Sequence, residues 1–310
     1  MGGLSGYPLY LLKLYEIRIL RIYEYRQLSS IRIFVPLFVF RKVLKGYRSY
    51  PGRIKSNFRD ILAIKRKSIF VIVSNFLKAE WRKLVMFNYA VEPALLLHYV
   101  PAHTELDLWN NTCYVSLVGF MFHNTKVKGI KIPFHINFEE INLRFYVKYV
   151  DPKLGKKRGV VFIKEIVPKP MITWVANTIY REHYITLPMK HKWDIKEDLF
   201  LINYSLKKNK DWFNFGVSAN NNPQQLLNGS EEEFITEHFW GYVKWDEKQT
   251  NEYEVGHPRW VTYPIVSSEI DFDFEKIYGS EFGLLNNAKP VSVFLAEGSE
   301  IFVNKGKVIS

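Results

Sequence analysis

Residues 138–150, FEEINLRFYVKYV, alternate with a period of two. Ile141, Leu143, Phe145 and Val147 fall on one side of an extended chain, and Glu140, Asn142, Arg144, Tyr146 and Lys148 on the other. This is a β-strand with one apolar face for a core. Its polar face looks either into water or onto the wet interior of a barrel. Glu140 and Arg144, four apart on that face, stand roughly 13 Å from each other along the strand and cannot pair. Each needs another partner or a ligand. The next stretch, DPKLGKKRG (151–159), is turn-forming, and GVVFIKEIV (159–167) reads as the returning strand of a β-hairpin.

Working outward, CYVSLVGFMFH (113–123) precedes this hairpin as a strand, and YITLPM, LFLINYSL, DWFNFGV, GYVKW, NEYEV and RWVTYPI follow it as strand-like segments. Helices are fewer. FLKAEWRKL (76–84) sets Leu77, Trp81 and Leu84 at i, i+4 and i+7, which predicts an amphipathic helix. VEPALLLHYVP (91–101) predicts a second, short helix from Pro93 to Pro101. Met171, Trp174, Val175 and Ile179 behind Pro170 predict a helix over 170–181 packed on the sheet. Ser230 and Glu233 form a capping box that opens a helix at EEEFITEHF. DFEKIYGSEF is expected to be the last helix, and VSVFLAEG with EIFVNKG the last hairpin. Many antiparallel strands with few helices predict an α+β protein with a barrel-like sheet.

The composition divides the chain. Its 310 residues carry a net charge of +12, and residues 1–70 supply all of it, with 15 Lys+Arg against Glu16, Glu24 and Asp60. Residues 71–310 balance 28 basic against 28 acidic residues and hold every Trp and every His. Residues 1–72 are therefore read as a basic extension and 73–310 as the functional domain. The extension allows three readings: a tail for anionic lipid or nucleic acid, a partner-binding segment, or translation of upstream sequence from a misplaced start. The scattered Lys and Arg count against the first; the last is favoured, with Val73 the expected true start. The neutral body argues against a nucleic-acid partner. Cys113 alone excludes a disulfide scaffold and suits a reducing, cytoplasmic compartment. No apolar run reaches the roughly 20 residues that span a bilayer.

Motifs with their own chemistry are missing. No G-x-G-x-x-G, Walker A loop, H-E-x-x-H or G-x-S-x-G occurs. The eight histidines, including His238, show no pair at helical metal-ligand spacing, so neither a metal nor a cofactor is expected.

Several blocks carry a resemblance instead. FLKAEWRKLVMFNYAVEPALL, YVSLVGFMF, PFHINFEEINLRFYV, RGVVFIKEIVPKP, YREHYITLPMKH, EEFITEHFWGY, His257-Pro258 and PVSVFLAEGS, in this order over about residues 74–304, resemble the YqjF-like bacterial proteins, a domain of unknown function. The resemblance implies a fold like that of acetoacetate decarboxylase, a barrel-like antiparallel sheet around a central cavity with flanking helices. That enzyme forms a Schiff base through a lysine. Its motif resembles Arg181-Glu182 to Pro188-Met189-Lys190 here, with one residue more and the glycine missing, and Met189 stands where the nucleophile is expected. Lys190 would match the second lysine of the motif, and alternation turns it to the opposite face.

Two functions follow as expectations. In the favoured one, a polar cavity binds a small carboxylate-type or oxo-type molecule, with Arg144 as the anion fork and Glu140, Asn142, Tyr146 and His238 completing the lining. In the alternative, the protein is an enzyme on small oxo or carboxy compounds, with Glu140, Glu182 or Lys190 as catalytic candidates. The plainer readings are an Arg144 salt bridge to the next strand and a surface ion pair of Glu182 with Arg181. A homo-oligomer is compatible with either function.

Overall fold

The computed structural model describes residues 75–310; the extension 1–72 and the start at Val73 lie outside the described residues. The first half of this span holds β1 (Asn75–Val91), β2 (Glu105–Leu106), β3 (Cys113–Val127), β4 (Phe138–Asp151), β5 (Gly155–Val167) and helix α1 (Pro170–Ile179). Next come β6 (Tyr184–Thr186), β7 (Met189–Ile195), β8 (Leu199–Lys208), β9 (Asp211–Asn220), β10 (Gln224–Gln225) and α2 (Glu231–Thr236). The last part is β11 (Trp240–Lys244), β12 (Thr250–Gly256), β13 (Val261–Tyr263), β14 (Ile265–Asp271), α3 (Phe274–Tyr278), β15 (Ser292–Asn304) and β16 (Lys307–Ile309).

Twelve strands form the main sheet in the order β10-β13-β15-β1-β3-β4-β5-β11-β12-β16, with β2 on β4 and β6 on β5. β12 also pairs with β15 through Val255–Val303 and Gly256–Phe302, so the ladder β15-β1-β3-β4-β5-β11-β12 returns to its first strand. The expected all-antiparallel sheet is corrected: β5 runs parallel to both β6 and β11, which makes the sheet mixed. A second sheet, β14-β9-β8-β7, is antiparallel throughout.

The strand at 138–150 explains the layering. Ile141, Leu143, Phe145 and Val147 join Phe200, Tyr204 and Phe215 of the second sheet in one core. Phe87 meets Phe215 edge-on at 5.7 Å. Gly119 makes the close approach feasible, because a Cβ there would stand 2.7 Å from Phe215 Cζ. The opposite face of the main sheet builds a separate cluster around Leu84, Met86, Phe120, Phe138, Tyr146 and Phe234. β4 is thus covered on both sides, and its polar row is buried from Glu140 to Tyr146, with Lys148 half-buried at the end.

Three expected elements differ. FLKAEWRKL is strand, not helix: it opens β1. Leu77, Ala79 and Trp81 alternate onto one face, then a β-bulge slips the β1–β3 register between Arg82 and Val85, and Leu84 and Met86 continue on that face. The extra residue turns a period of two into the apparent i, i+4, i+7 spacing. VEPALLLHYVP makes two separate 3-10 turns, Pro93–Leu95 and Leu97–Tyr99, rather than one helix. The expected final hairpin is one continuous strand, β15. Its Gly298 takes φ +79° opposite Arg82 and the strand continues through it instead of turning. The capping box forms, with Ser230 Oγ accepting from Glu233 N at 3.2 Å.

Candidate functional site

The polar face of β4 looks onto a cavity of about 240 Å³ on the side of the main sheet away from the second sheet. Glu140, Asn142 and Arg144 project into it from β4 by simple alternation. Glu165 enters from β5, directly across from Asn142 in the ladder. It does so only because the β4–β5 register slips between Leu143 and Arg144. Val161, Ile163 and Ile166 consequently face the intersheet core, while Val160, Phe162 and Glu165 face the cavity. Tyr184 sits beside Glu165 on the parallel strand β6. Glu182 is placed just before it by a left-handed residue, Arg181, at φ 59°. Tyr253 comes from β12 and His238 from the segment after α2. Thr125, His135 and Tyr180 also line it, and the rest of the wall is apolar, including Trp81, Phe120, Phe122, Phe162 and Trp240. Helix α1 contributes Met171, Ile172, Val175 and Ala176, while Trp174 is exposed.

Glu140, Glu165 and Glu182 therefore share one water-poor space at 3%, 3% and 7% exposure. Glu140 accepts from Asn142 Nδ2 at 3.0 Å and from the Tyr184 hydroxyl at 3.1 Å. Glu182 accepts from the Tyr253 hydroxyl at 2.6 Å. Glu165 stands within hydrogen-bonding reach of Glu182 and Tyr184. Burial dominates the ionisation of all three. It raises Glu140 to about 7 against the opposing pull of Asn142, Tyr184 and Arg144. It raises Glu182 to about 7, with the Tyr253 and Glu165 hydrogen bonds opposing. Glu165 is pushed well above the carboxylate range by burial and then by the charges of Glu182 and Glu140. At neutral pH Glu165 is thus a neutral acid, and the other two titrate as a coupled set.

Arg144 is 7% exposed, and its Nη2 donates to Ile235 O at 3.2 Å while Nε finds no partner. Asn142 Oδ1 and Glu165 Oε2 are likewise buried without a hydrogen-bond partner. His238 Nε2 lies 3.5 Å from Asp107 Oδ2, a long polar contact. Burial lowers its ring to about 4, so it is neutral. Asp107 is held at about 2: burial opposes, but His238 and the Arg158 guanidinium at 2.5 Å prevail. Among the described residues, no cluster of three or more His, Cys, Asp and Glu side chains is arranged to hold a metal ion.

Residues 78–300 match the family described as an uncharacterized conserved protein (COG2071), domain of unknown function 2071. The chain belongs to the DUF2071 family. A relative, the uncharacterized protein YqjF of Bacillus subtilis (strain 168), is 27% identical over 115 residues, which are 37% of this chain and 46% of YqjF. The match thus spans slightly under half of that protein. Acetoacetate decarboxylase from Legionella pneumophila superposes with a TM-score of 0.52 at 15% identity, covering 91% of this chain and 98% of its own. The enduracididine biosynthesis enzyme MppR, in complex with pyruvate, superposes with a TM-score of 0.53 at 11% identity, covering 76% of this chain and 90% of its own. An acetoacetate decarboxylase-like enzyme from Sphingomonas wittichii RW1 gives 0.52 at 10% identity over 77% of this chain and 94% of its own. At these identities the likeness is one of fold.

In this DUF2071 chain, five of the residues singled out from the sequence meet at the cavity: Glu140, Asn142, Arg144, Glu182 and His238. Tyr146 does not reach it; its hydroxyl pairs with Ser116 Oγ at 2.7 Å, and its ring lies 4.7 Å from that of His238. Lys190 lies on β7 in the other sheet, exposed, with Nζ 4.2 Å above the Trp212 ring. Met189, the expected nucleophile position, packs against the intersheet core instead. Glu182 is buried on Tyr253 rather than paired with Arg181, which lies over Trp245. The expected polar cavity is mostly apolar, with its carboxyls and Arg144 gathered on β4, β5 and the segment leading into β6. Sequence reading missed Glu165, Tyr184, Tyr253 and Asp107. The signal for Glu165 was a lone acid inside the apolar run GVVFIKEIV, where strict alternation sets it on the same face as Val161 and Ile163.

Proposed function

We propose that the returning ladder of the main sheet works as a barrel whose cavity binds, without covalent attachment, a small molecule with an apolar body and one oxo or carboxyl head. The carrying observation is a group of buried unpartnered atoms on the cavity, among them Arg144 Nε, Asn142 Oδ1 and Glu165 Oε2, with Trp81 Nε1, Thr125 Oγ1, the Tyr180 hydroxyl and both ring nitrogens of His238 beside them. Buried polar groups are nearly always satisfied, so several left over around one cavity favour an external group as their partner. Arg144 Nε and the Glu165 acid proton are donors suited to a carbonyl or carboxylate oxygen. The aromatic wall suits the apolar remainder. A volume of about 240 Å³ falls below the roughly 300–1,000 Å³ of drug-sized sites, which favours a small ligand. MppR, of the same fold, holds pyruvate, a small oxo acid, in line with this class. The balanced charge of residues 71–310 supports a small-molecule partner over nucleic acid. The free, buried thiol of Cys113 suits the cytoplasm.

Charge makes the reading testable. An incoming carboxylate places a further negative charge beside Glu140 and Glu182, so one of them takes up a proton on binding. The affinity for 4-phenylbutanoate should therefore fall as pH rises from 6 to 8, while that for the uncharged ketone 4-phenylbutan-2-one stays level. Thermal shift and calorimetry with the full chain measure both. Arg144→Ala should abolish the response to the acid. If neither probe stabilises the wild type, or if Arg144→Ala responds to the acid as the wild type does, the reading is wrong.

A further inference from the structure

We propose that this cavity enolises carbonyl compounds, with Glu140 taking a proton from the carbon next to the carbonyl and Glu165 giving one to the carbonyl oxygen. The inference rests on the binding reading above and assigns a reaction to the same site. Its ground is the placement of two carboxyls. Glu140 and Glu165 are diagonal neighbours across the β4–β5 ladder, since Asn142 pairs with Glu165, and both line the cavity. Diagonal neighbours stand roughly 7–8 Å apart at the backbone, so both carboxyls can reach one H–C–C=O unit held in the cavity between them. Their surroundings differ in kind. Glu140 accepts two hydrogen bonds, from Asn142 and Tyr184, and has the Arg144 cation for company, all of which favour its carboxylate. Glu165 has no cation against it, faces two other carboxyls and keeps a bare oxygen on the cavity, which favours the acid form. Two carboxyls pushed apart by environment are the arrangement that divides base from acid.

The step balances without a further reactant. Glu140 takes the α-proton as the C–H bond breaks, and that electron pair becomes the C=C bond. The carbonyl π pair moves onto oxygen, which bonds the proton leaving Glu165. Glu140 is now the acid and Glu165 the carboxylate. Tyr184, in reach of both, passes its hydroxyl proton to Glu165 and receives one from Glu140, which restores the starting state. Arg144, with Nε free, adds positive charge next to the developing enolate. Once the proton held by Glu140 has exchanged with heavy water, reversal returns a deuteron to carbon, so exchange at the α-carbon reports the reaction whether or not the enol accumulates.

The experiment incubates the full chain with 4-phenylbutan-2-one in D₂O and follows loss of the α-proton signals by NMR, beside a thermal shift with the same ketone. The wild type should exchange the α-protons well above the buffer rate. Glu140→Gln should lower that rate about 100-fold or more while the thermal shift persists, the scale of lost general-base catalysis. Tyr184→Phe should lower it too, by its loss of the proton return. A ketone that stabilises the protein yet exchanges at the buffer rate, or at an equal rate with Glu140→Gln, overturns enolisation and leaves the binding site standing. A ketone that causes neither shift nor exchange overturns enolisation as well, and 4-phenylbutanoate then decides whether the cavity binds anything of this class.

Discussion

Glu140 accepts hydrogen bonds from a neutral amide and a phenol that hold its two oxygens, and neither neutralises its charge. Desolvation therefore outweighs them and keeps the proton on until about pH 7, against an ordinary value of 4.5. The sign for stability follows. Below about pH 4.5 the group is protonated in both folded and unfolded chains. Between 4.5 and 7 the unfolded chain releases the proton and the folded one keeps it, so this contribution to stability is lost as pH rises through the window. Arg144, Glu165, Glu182, Tyr184, Tyr253 and Tyr278 all face this charge and are common to the wild type and to Glu140→Gln. His238 works in the opposite direction, losing its stabilising effect as pH falls from 6.5 toward 4, and it too is common to both. Glu140→Gln should consequently gain stability relative to the wild type by about 2–3 kcal/mol between pH 4.5 and pH 8, each pKa unit being about 1.4 kcal/mol. Urea unfolding at the two pH values measures this, and a difference that does not change with pH would place the buried proton elsewhere. The polar residues of β4 were legible in the sequence because alternation alone puts them on one face. Glu165 was not, because a single slipped pair between β4 and β5 moves it to the other side of its strand.

At the scale of elements, backbone irregularities decide what β1 and β15 become. Arg82 pairs with Gly298 where both strands depart from regular alternation, Lys83 at φ 54° and Gly298 at φ +79°. The irregularity brings the Lys83 ammonium to Glu297 at 2.6 Å and to the Phe200 ring at 4.1 Å, tying β1 and β15 to the second sheet. Only glycine suits position 298, since a Cβ would stand 2.0 Å from the backbone oxygen of Trp81. Gly298→Ala should cost about 2–4 kcal/mol, the strain of a left-handed non-glycine residue with a steric term added. Thermal unfolding checks this; an unchanged melting temperature would mean that the backbone there relaxes freely. These same irregularities account for two misread elements. A period-two pattern with one residue inserted imitates a helical stripe in FLKAEWRKL. A glycine in the left-handed region between two apolar runs imitates a hairpin turn in β15. By contrast, the helix at Pro170 and the capped helix at Ser230 were readable, because proline at the first turn and a serine cap act over four residues and need no distant partner.

For the whole molecule, the controlling fact is which side chains the returning ladder encloses. The described residues that line the cavity include three glutamates and one arginine but no lysine. Lys190, the lysine of the stretch that resembles the decarboxylase motif, belongs to the second sheet. Acetoacetate followed by borohydride should accordingly leave the intact mass unchanged, and an adduct that peptide mapping places in residues 75–310 would contradict this arrangement of the cavity. Read alone, the amino-acid order determined what depends on near neighbours: the extended runs, their alternation, the caps, the neutral charge of the body after residue 70, and, through its blocks, membership in DUF2071. The tertiary structure alone decided which faces are dry. Desolvation is a property of everything packed within several ångströms of a group, drawn from β4, β5, β6, β12 and the turn after α1 at once. A glutamate in a strand is an ordinary solvated carboxylate until those segments close over it, and only then does it hold a proton near neutrality.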